Sequence, residues 1–344
     1  MKSLTALLGI DLPIIQAPMA GVQGSALAIA VCEAGGLGSL PCAMLSLQTM
    51  RQELETIRSQ TSRPFNVNFF CHQAPAPDAA REAAWGKLLA PYYAEFGLDP
   101  DNVAAGSERG AFSAEAVKVL REFRPAVVSF HFGLPAPELL EAVRALGSKI
   151  LASATTVAEA LWLEERGADI IVSQGLEAGG HRGIFLTTDL TTQTGTFALL
   201  PQIIAAVKTP VVAAGGIADA RGVAAALALG AAGVQIGTAY LLCPEARTSA
   251  VQRAVLKTPA SAHTAVTNIH TGRPARGMVN RIMREIGPIN PAAPAFPLAA
   301  SAMSPLRAKA ESQGSGDFSP LWTGQNATGC KEIPAGQLTR ELIS

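Results

Sequence analysis

Short apolar runs alternate with longer amphipathic segments along most of the chain. Five of the apolar runs lie in its central part and are bounded by glycine or polar residues, at 126–130, 149–152, 169–172, 210–213 and 233–236. Short, continuously apolar runs are typical of strands that are buried on both faces of a parallel sheet. The pattern therefore predicts a sheet whose strands have no solvent-facing side.

Three further strand-like segments precede these, at 13–15, 37–39 and 65–69, which makes eight predicted strands. Helical patterns follow most of them, at 25–34, 47–61, 114–122, 137–146, 157–166, 199–207 and 219–229. Regular alternation of this kind gives an open doubly wound sheet or a closed barrel. Polar or glycine-rich residues follow nearly every predicted strand, which favours the barrel. We therefore predict an α/β fold, a (β/α)8 TIM barrel.

Two segments interrupt the alternation. The first, 78–110, holds Trp85 and the pair Tyr92 and Tyr93, and we interpret it as an inserted helical excursion. The second begins near Cys243 and includes a proline-rich stretch at 288–297. We predict a small helical capping domain over 243–304, with a barrel formed by 1–242 and 305–344.

The composition mainly excludes classes of partner and indicates little about the function itself. The chain has 344 residues, of which 49% are hydrophobic and 16% charged, and its formal net charge is zero. Neutrality gives no electrostatic reason to expect nucleic acid or an anionic membrane as partner. No apolar run reaches the roughly 18 residues of a membrane span, and the amino terminus does not resemble a signal peptide. We expect a small-molecule substrate and either a monomer or a homodimer.

The five cysteines are scattered and include no CxxC pair. Such a pattern argues against a disulfide framework and against a zinc site, so we expect no metal and a reducing, cytoplasmic location.

The segment Ser173–Gly183, which follows the predicted strand 169–172, is the strongest chemical signal. It is dense in glycine, with Gly179 and Gly180 directly before His181. Glycines allow the backbone to approach a ligand closely. Among the side chains of this loop, His181 alone has an ordinary pKa near neutrality, so it is the candidate for moving a proton.

Two glycine turns after the last two predicted strands form the second signal. Gly215 and Gly216 follow one strand, and Gln235, Ile236, Gly237 and Thr238 end and follow the next. In a barrel these turns are neighbours, and their backbone N–H groups can bind a mononucleotide phosphate. The alternative is that each is only a tight turn between a strand and a helix.

Amide side chains, and a proline and a methionine, also occur in or at the ends of other predicted strands. Gln16, Ala17, Pro18 and Met19 end the first strand, Asn68 lies in the third and Gln174 ends the sixth. Asparagine is disfavoured in strands, so a polar role such as binding the edge of a heterocycle is plausible for Asn68. His131 ends the fourth strand between two phenylalanines, and a purely structural role is the alternative for it.

The motifs just described occur in the same order in the flavin-dependent nitronate monooxygenases, formerly called 2-nitropropane dioxygenases, and the chain resembles this family over its whole length. The resemblance includes Tyr92–Gly97, Gly272–Gly277 and Pro320–Gln325, and it is closest to the class I branch. It implies a TIM barrel, tightly held FMN and oxidation of alkyl nitronates by O2 to a carbonyl compound and nitrite. Propionate 3-nitronate is the substrate that the resemblance leads us to expect, in a detoxifying role.

The resemblance also implies roles for single residues. It makes His181 the catalytic base, places Met19 near the isoalloxazine ring and places His131 in the same cavity. We further predict Tyr93 and Trp322 at the substrate pocket, with core packing as the alternative for both. The predicted cofactor contacts are Gln16, Ala17, Pro18, Met19, Asn68, Gln174, Gly179, Gly180, Gly215, Gly216, Gln235, Ile236, Gly237 and Thr238.

Two alternative functions remain open on the sequence. FMN-dependent enoyl-acyl carrier protein reductases resemble the chain in the same glycine and histidine loops, and they use NAD(P)H as hydride donor. A barrel that binds flavin or phosphate without catalysis is the other. Reduction of the bound flavin by NADH or NADPH without oxygen distinguishes the reductase.

Overall fold

Eight parallel strands form the main sheet of the computed structural model, which describes residues 3–100 and 110–344. A two-residue strand, β7 (Gly180–His181), does not belong to this sheet. In the sequence it lies between the sixth and the seventh strands of the sheet. The eight are β1 (Ile14–Gln16), β2 (Gly38–Pro41), β3 (Phe65–Phe70), β4 (Val127–His131), β5 (Lys149–Ala154), β6 (Ile170–Gln174), β8 (Val211–Ala214) and β9 (Gly233–Ile236).

The sheet closes into a barrel. Its order in space is β1-β9-β8-β6-β5-β4-β3-β2, so each strand pairs with its neighbours around the ring. The seam between the two ends is closed by a bridge between Ile15 and Leu37, where the Gln16 N–H donates to the Leu37 carbonyl at 2.9 Å. The predicted (β/α)8 barrel is confirmed.

Helices lie between the strands and in the segments that interrupt the alternation. In chain order they are α1 (Leu4–Leu8), α2 (Ser25–Glu33), α3 (Leu47–Gln60), α4 (Ala79–Phe96), α5 (Ala114–Phe123), α6 (Pro137–Arg144), α7 (Val157–Glu165), α8 (Thr196–Ala206), α9 (Ala220–Ala228), α10 (Ala250–Leu256), α11 (Arg281–Ile286), α12 (Ala299–Ser312) and α13 (Ala335–Glu341).

Helix α3 shows how the sequence sets these elements. Its N-terminus is capped by Ser46, whose hydroxyl accepts the Thr49 N–H at 3.1 Å. Met50, Leu54 and Ile57 recur at helical spacing and are buried. The capping serine and the apolar residues at helical spacing are enough to explain why this segment forms a helix and packs on the sheet.

The barrel interior is filled by strand side chains. Ile15, Val127, Leu151, Val172 and Val212 come from strands around the ring, are at most 2% exposed and contact one another in one cluster. Branched aliphatic side chains of this kind give a TIM barrel a packed centre rather than a pore.

The two segments that interrupt the alternation form one lid. Trp85 and Tyr92 of α4 pack in a single buried cluster with Met303 of α12 and with Phe318. The Tyr92 and Phe318 rings lie 5.3 Å apart, edge to face. The helical excursion and the cap, which the sequence suggested as separate units, therefore share one hydrophobic core. Residues 101–109 of the predicted excursion lie outside the described ranges.

The lid differs from the predicted cap in content and in extent. It contains a three-stranded antiparallel sheet, in which β11 (Ala275–Met278) pairs on one side with β10 (Thr264–Thr267) and on the other with β7. It is therefore not purely helical. The predicted boundary between 304 and 305 falls inside α12, with Pro305 within the helix, so that boundary divides one helix.

The carboxyl-terminal helix α13 packs on the barrel. Ala335, Leu338 and Leu342 are buried against the barrel's main core cluster, and the Tyr240 and Thr339 hydroxyls lie 2.9 Å apart in a hydrogen bond.

In the described part of the chain, no helix is both long and apolar enough to cross a membrane. Nor do residues 3–100 and 110–344 contain a group of three or more His, Cys, Asp or Glu side chains that suits a metal ion.

Close packing of α2 on β2 yields a stability prediction. A Cβ at Gly38 would collide with the backbone carbonyl of Ala28, which cannot move without shifting α2. We expect Gly38→Ala to lower the free energy of unfolding by about 1–3 kcal/mol, because overpacking forces the backbone apart.

Gly86 is the matched control for this prediction. It lies exposed within α4, and a Cβ at this position would meet no neighbouring atom, so Gly86→Ala should stabilise by about 0.5–1 kcal/mol. Thermal or denaturant unfolding of both variants measures the difference. Equal effects of the two substitutions would contradict the assigned packing of α2.

Candidate active site

A cavity opens at the carboxyl ends of the barrel strands, beneath the lid. It encloses about 1690 Å³ of empty space, its solvent-filled mouth included. Residues at or just after the ends of β1, β3, β4, β5, β6, β8 and β9 line it, together with lid and carboxyl-terminal residues such as Arg307 and Trp322. Active sites of TIM barrels lie at this end of the strands.

Most of the residues predicted from the sequence lie together in its wall. These residues are Ala17, Pro18, Met19, Asn68, His131, Gln174, Gly179, Gly180, His181, Gly215, Gly216, Gln235, Ile236, Gly237, Thr238 and Trp322.

Gln16, a predicted cofactor contact, does not line the cavity. Its side chain is fully buried, donates to Gln23 Oε1 at 2.7 Å and accepts the Ser39 N–H at 3.1 Å. Ser39 also donates from its hydroxyl to the Gln16 carbonyl at 2.6 Å. Gln16 therefore joins β1 to β2 at the seam where the barrel closes. This corrects the prediction: the amide satisfies backbone groups at the seam instead of facing a ligand.

Tyr93 also lies away from the cavity. It is 3% exposed in the hydrophobic core of the lid, and its hydroxyl donates to the Ala302 carbonyl at 2.7 Å. Its position corrects the predicted substrate contact in favour of the alternative, core packing. Trp322, predicted with it, does line the cavity.

His181 sits where barrel and lid meet. Its backbone belongs to β7, which pairs with β11 of the lid in the register His181–Ala275. Its Nε2 lies 2.9 Å from the Thr271 hydroxyl, which is also a lid residue. The candidate base therefore reaches the cavity from a strand of the lid sheet, although its loop begins at a barrel strand.

Two side chains from the barrel hold the His181 carbonyl. Gln174 Nε2 donates to it at 3.0 Å, and His131 Nε2 lies 3.1 Å from it. Because a carbonyl can only accept, His131 carries its hydrogen on Nε2, and its Nδ1 accepts from the Ser153 hydroxyl at 3.2 Å. The Gln174 Oε1 accepts the Gly183 N–H at 2.7 Å, so both ends of this amide are occupied within the loop.

His131 is neutral at ordinary pH. The pKa of its ring is lowered to about 3, mainly by burial and to a smaller extent by the positive charges of Arg273 and Arg182, against the opposing effect of the hydrogen bond to His181. A neutral ring with both nitrogens engaged suits positioning rather than proton transfer. His131 thus lines the cavity, as predicted, and orients His181.

Two buried arginines hold the loop before His181 by its carbonyls. Arg182 is fully buried and donates to Gln174 and Gly175, both at 2.7 Å. Arg276, 4% exposed, donates to the Leu176 carbonyl at 2.9 Å. Burial lowers the pKa of Arg182 to about 10, and the pKa of Arg276 shifts in the same direction. Sequence reasoning missed both, although Arg182 lies next to the histidine.

The glycine turns after β8 and β9 are adjacent because Ala214 pairs with Gln235 in register. Gly215 and Gly216 have φ of 116° and 73°, a region that side chains rarely adopt. Among the described residues, the N–H groups of Gly215, Gly216, Gly237 and Thr238 donate to no protein acceptor. Unengaged N–H groups in neighbouring turns form a site for an anion.

An aromatic wall surrounds the His181 ring. Phe296 and Trp322 lie 5.4 Å and 5.5 Å from it, centroid to centroid, and Phe132 and Phe70 lie 5.9 Å and 6.0 Å away. Of these, the sequence pointed only to Trp322. The phenylalanines carry no polar signal, so nothing in the sequence distinguished them from ordinary core residues.

The fold and the site define a class: a TIM barrel with a candidate anion site and a candidate base at the carboxyl ends of its strands. The comparison with known families is more specific. The family model for nitronate monooxygenase matches residues 1–344, and the chain belongs to this family.

Individual relatives agree. A nitronate monooxygenase from Pseudomonas aeruginosa is 45% identical over 342 residues, which is 98% of this chain and 97% of that protein. The crystal structure of a nitroalkane oxidase from Streptomyces ansochromogenes matches with a TM-score of 0.88 and 40% identity, over 99% of this chain and 96% of that one. FabK from Thermotoga maritima is more distant, with a TM-score of 0.72 and 29% identity over 99% and 95%. The protein is thus an oxidoreductase that acts with oxygen on a small-molecule nitronate.

His270 lies behind this site and is buried in the lid. It is 4% exposed, and its ring stands edge-on to Trp322 at 5.7 Å. Within the described ranges, neither ring nitrogen has a hydrogen-bond partner. Burial, assisted by the charge of Arg307, lowers the pKa of His270 to about 3.

This depressed pKa predicts acid lability. The unfolded ring titrates near the ordinary histidine pKa of 6.5, so between pH 6.5 and about 3 the unfolded chain binds more protons than the folded one. Stability is therefore lost as pH falls through this window. We expect His270→Phe to lose less Tm than the wild type between about pH 7.5 and pH 5. The exposed His263→Phe is the control and should keep the wild-type dependence; parallel curves for all three proteins would contradict the assignment.

Proposed function

We propose that the protein holds FMN in the cavity and oxidises alkyl nitronates with O2, giving a carbonyl compound and nitrite. Family membership supports the reaction. The observation that carries the cofactor assignment is the pair of glycine turns, whose unengaged N–H groups face the same cavity as His181. Propionate 3-nitronate, expected from the family resemblance, is the first substrate to assay.

The residues present fit a flavin mononucleotide. The turns at Gly215–Gly216 and Gly237–Thr238 would hold the phosphate. The buried Oε1 of Gln235 has no partner in the described part of the chain and would meet a donor of the ligand. Met19 lines the cavity with an apolar, polarisable side chain suited to a ring face. When bound, FMN supplies the redox chemistry that moves electrons between the nitronate and oxygen.

His181 has a role that depends on the form of the substrate. A neutral nitroalkane must lose a proton from carbon before it becomes a nitronate, and His181 is placed to take it. A preformed nitronate is already an anion, and a protonated His181 would stabilise it by charge. Base catalysis therefore matters for one substrate form and not for the other.

The aromatic wall makes the surroundings of this step less polar. Phe132 and Phe296 are 4% and 6% exposed and stand against the His181 ring, so apolar carbon borders the ring on these sides. A less polar surrounding strengthens the attraction between an imidazolium and an anionic substrate.

We infer a reducing, cytoplasmic setting from the five cysteines, all of which are free thiols. Burial raises the pKa of the Cys71 thiol, which lies next to the site strand β3, so it is a poor nucleophile. A monomer or homodimer and a detoxifying role remain predictions.

The reductase alternative is less well supported. The relatives that share 40% and 45% identity carry the names nitroalkane oxidase and nitronate monooxygenase. Reduction of the bound flavin by NADH or NADPH nevertheless distinguishes the two functions, because only the reductase needs a hydride donor.

We predict that the purified protein is yellow, with the absorption bands of FMN, and that it releases nitrite from propionate 3-nitronate in air. NADH or NADPH should not bleach the flavin rapidly under anaerobic conditions. Absorption spectroscopy and a colorimetric nitrite assay measure both. A colourless protein that cannot be reconstituted with FMN, or rapid bleaching by NADPH, would refute the proposal.

We predict that His181→Asn retains FMN but loses turnover of neutral nitroalkanes by about 100- to 10,000-fold, the usual contribution of a positioned base. Oxidation of preformed nitronate should fall far less. Tyr93→Phe is the control, since Tyr93 lies in the lid core, and both activities should survive it. Unchanged nitroalkane turnover in His181→Asn would remove the base assignment.

A further inference from the structure

The hydrogen bond between His181 and Thr271 can run in either direction, and the Arg273 carbonyl is the neighbouring group that bears on it. Thr271 is 2% exposed, in the lid loop between β10 and β11, and its hydroxyl lies 2.9 Å from His181 Nε2. The Arg273 carbonyl lies 3.4 Å from the same hydroxyl and is a second acceptor for its hydrogen. A hydroxyl has one hydrogen, and a carbonyl can only accept.

The tautomer of His181 follows from this direction. If the Thr271 hydrogen is directed to the Arg273 carbonyl, the hydroxyl oxygen accepts from Nε2–H of His181. A neutral imidazole has one N–H, so its lone pair then lies on Nδ1. The hydrogen bond that Nε2 makes therefore determines that Nδ1 is the basic nitrogen of the ring.

We propose that Thr271 is a positioning residue for the reaction, which holds His181 as the Nε2–H tautomer and thereby makes Nδ1 the proton acceptor. The inference rests on the proposed function for its catalytic consequence. In the step it serves, the C–H bond next to the nitro group breaks and the proton bonds to Nδ1. The electron pair of that bond moves into the nitro group, giving a nitronate and an imidazolium.

Thr271 acts on both states of the ring. The imidazolium also carries Nε2–H, and a hydrogen bond from a charged donor is stronger than one from a neutral donor. The threonine oxygen therefore favours the protonated ring over the neutral one and raises the basicity of His181. Thr271 also keeps the His181 ring in one orientation. The backbone of β7 is held by β11, and the His181 side chain is held by the lid loop that contains Thr271.

The location of Thr271 adds a consequence for the lid. Both the strand that pairs with His181 and the residue that sets its tautomer belong to the lid, whereas Gln174 and His131 hold its carbonyl from the barrel. A correctly protonated base therefore exists only while the lid loop stays seated on β7.

Other charged or titratable groups lie around the site, most of them against neighbours of His181, and they stay the same when Thr271 alone is changed. They come from β4, from the loop after β6, from the segment after β3 and from the lid: His131, Glu177, Arg182, His72, His270 and Arg273. Arg273 lies 3.8 Å from the Phe132 ring centroid, and Phe132 in turn contacts His181. A difference among Thr271 variants isolates the hydroxyl.

The direct test is the tautomer itself, observed by 15N NMR of the histidine rings in the flavin-loaded protein at alkaline pH. The chain has five histidines, and the His181→Asn variant identifies the signal. We expect the Nε2–H tautomer in the wild type and in Thr271→Ser, and a mixture or the Nδ1–H form in Thr271→Val. An Nδ1–H tautomer in the wild type would overturn the inference even if no Thr271 variant folds. A Thr271→Val spectrum identical to that of the wild type would also overturn it.

Kinetics provide the second readout on the same samples. Thr271→Val should lower kcat/KM for a neutral nitroalkane about 10- to 100-fold, as expected for a buried donor left without a partner. The apparent pKa in the pH profile should fall, and Thr271→Ser should restore both. Nitronate turnover should fall less than nitroalkane turnover, because no proton leaves carbon in that reaction. A merely structural role would lower both activities together and leave the pH profile in place, which would overturn the inference.

Failure of the proposed function gives a different result. If the wild type releases nitrite from neither substrate, the proposed function is refuted, whatever the tautomer of His181. If the protein releases nitrite but Thr271→Val leaves the tautomer unaltered, the function stands and the role of Thr271 is refuted.

Discussion

The site depends on how the backbone of His181 is held. Its carbonyl accepts from Gln174 and His131 on the barrel side, and its strand pairs with β11 on the lid side. Each hydrogen bond adds about 1 kcal/mol, yet together they fix a residue whose loop is otherwise rich in glycine. The imidazole can stand over a ligand in one orientation because neither side of its backbone moves alone. This double attachment joins the barrel to the lid at the cavity.

The loop that leads to His181 is held by buried positive charge. Arg182 and Arg276 donate to the carbonyls of Gln174, Gly175 and Leu176 rather than to carboxylates. A buried guanidinium is costly, and carbonyl partners offset its desolvation only in part. The lowered pKa of both arginines reflects that cost. The charge of Glu177 opposes this shift in both arginines and offsets part of the cost.

The sequence was most informative where its signal was local and repeated. The apolar runs at 149–152 and 210–213 specify parallel strands by composition, and the barrel follows from their alternation with helices. Gly215, Gly216 and His181 were found because glycine turns and a histidine at a strand end have few structural explanations. Gln16 and Tyr93 were misplaced because a polar side chain serves a barrel seam or a lid core as readily as a ligand. Thr271 and Phe296 gave no local signal, since their roles exist only after the lid folds onto β7.

The most direct test of this account is a crystal structure of the protein with FMN bound. The account predicts the phosphate on the backbone N–H groups of the Gly215–Gly216 and Gly237–Thr238 turns, and the His181 ring facing the flavin with its carbonyl still held by Gln174 and His131. A phosphate bound elsewhere, or a His181 ring turned away from the flavin while the lid is closed, would contradict it.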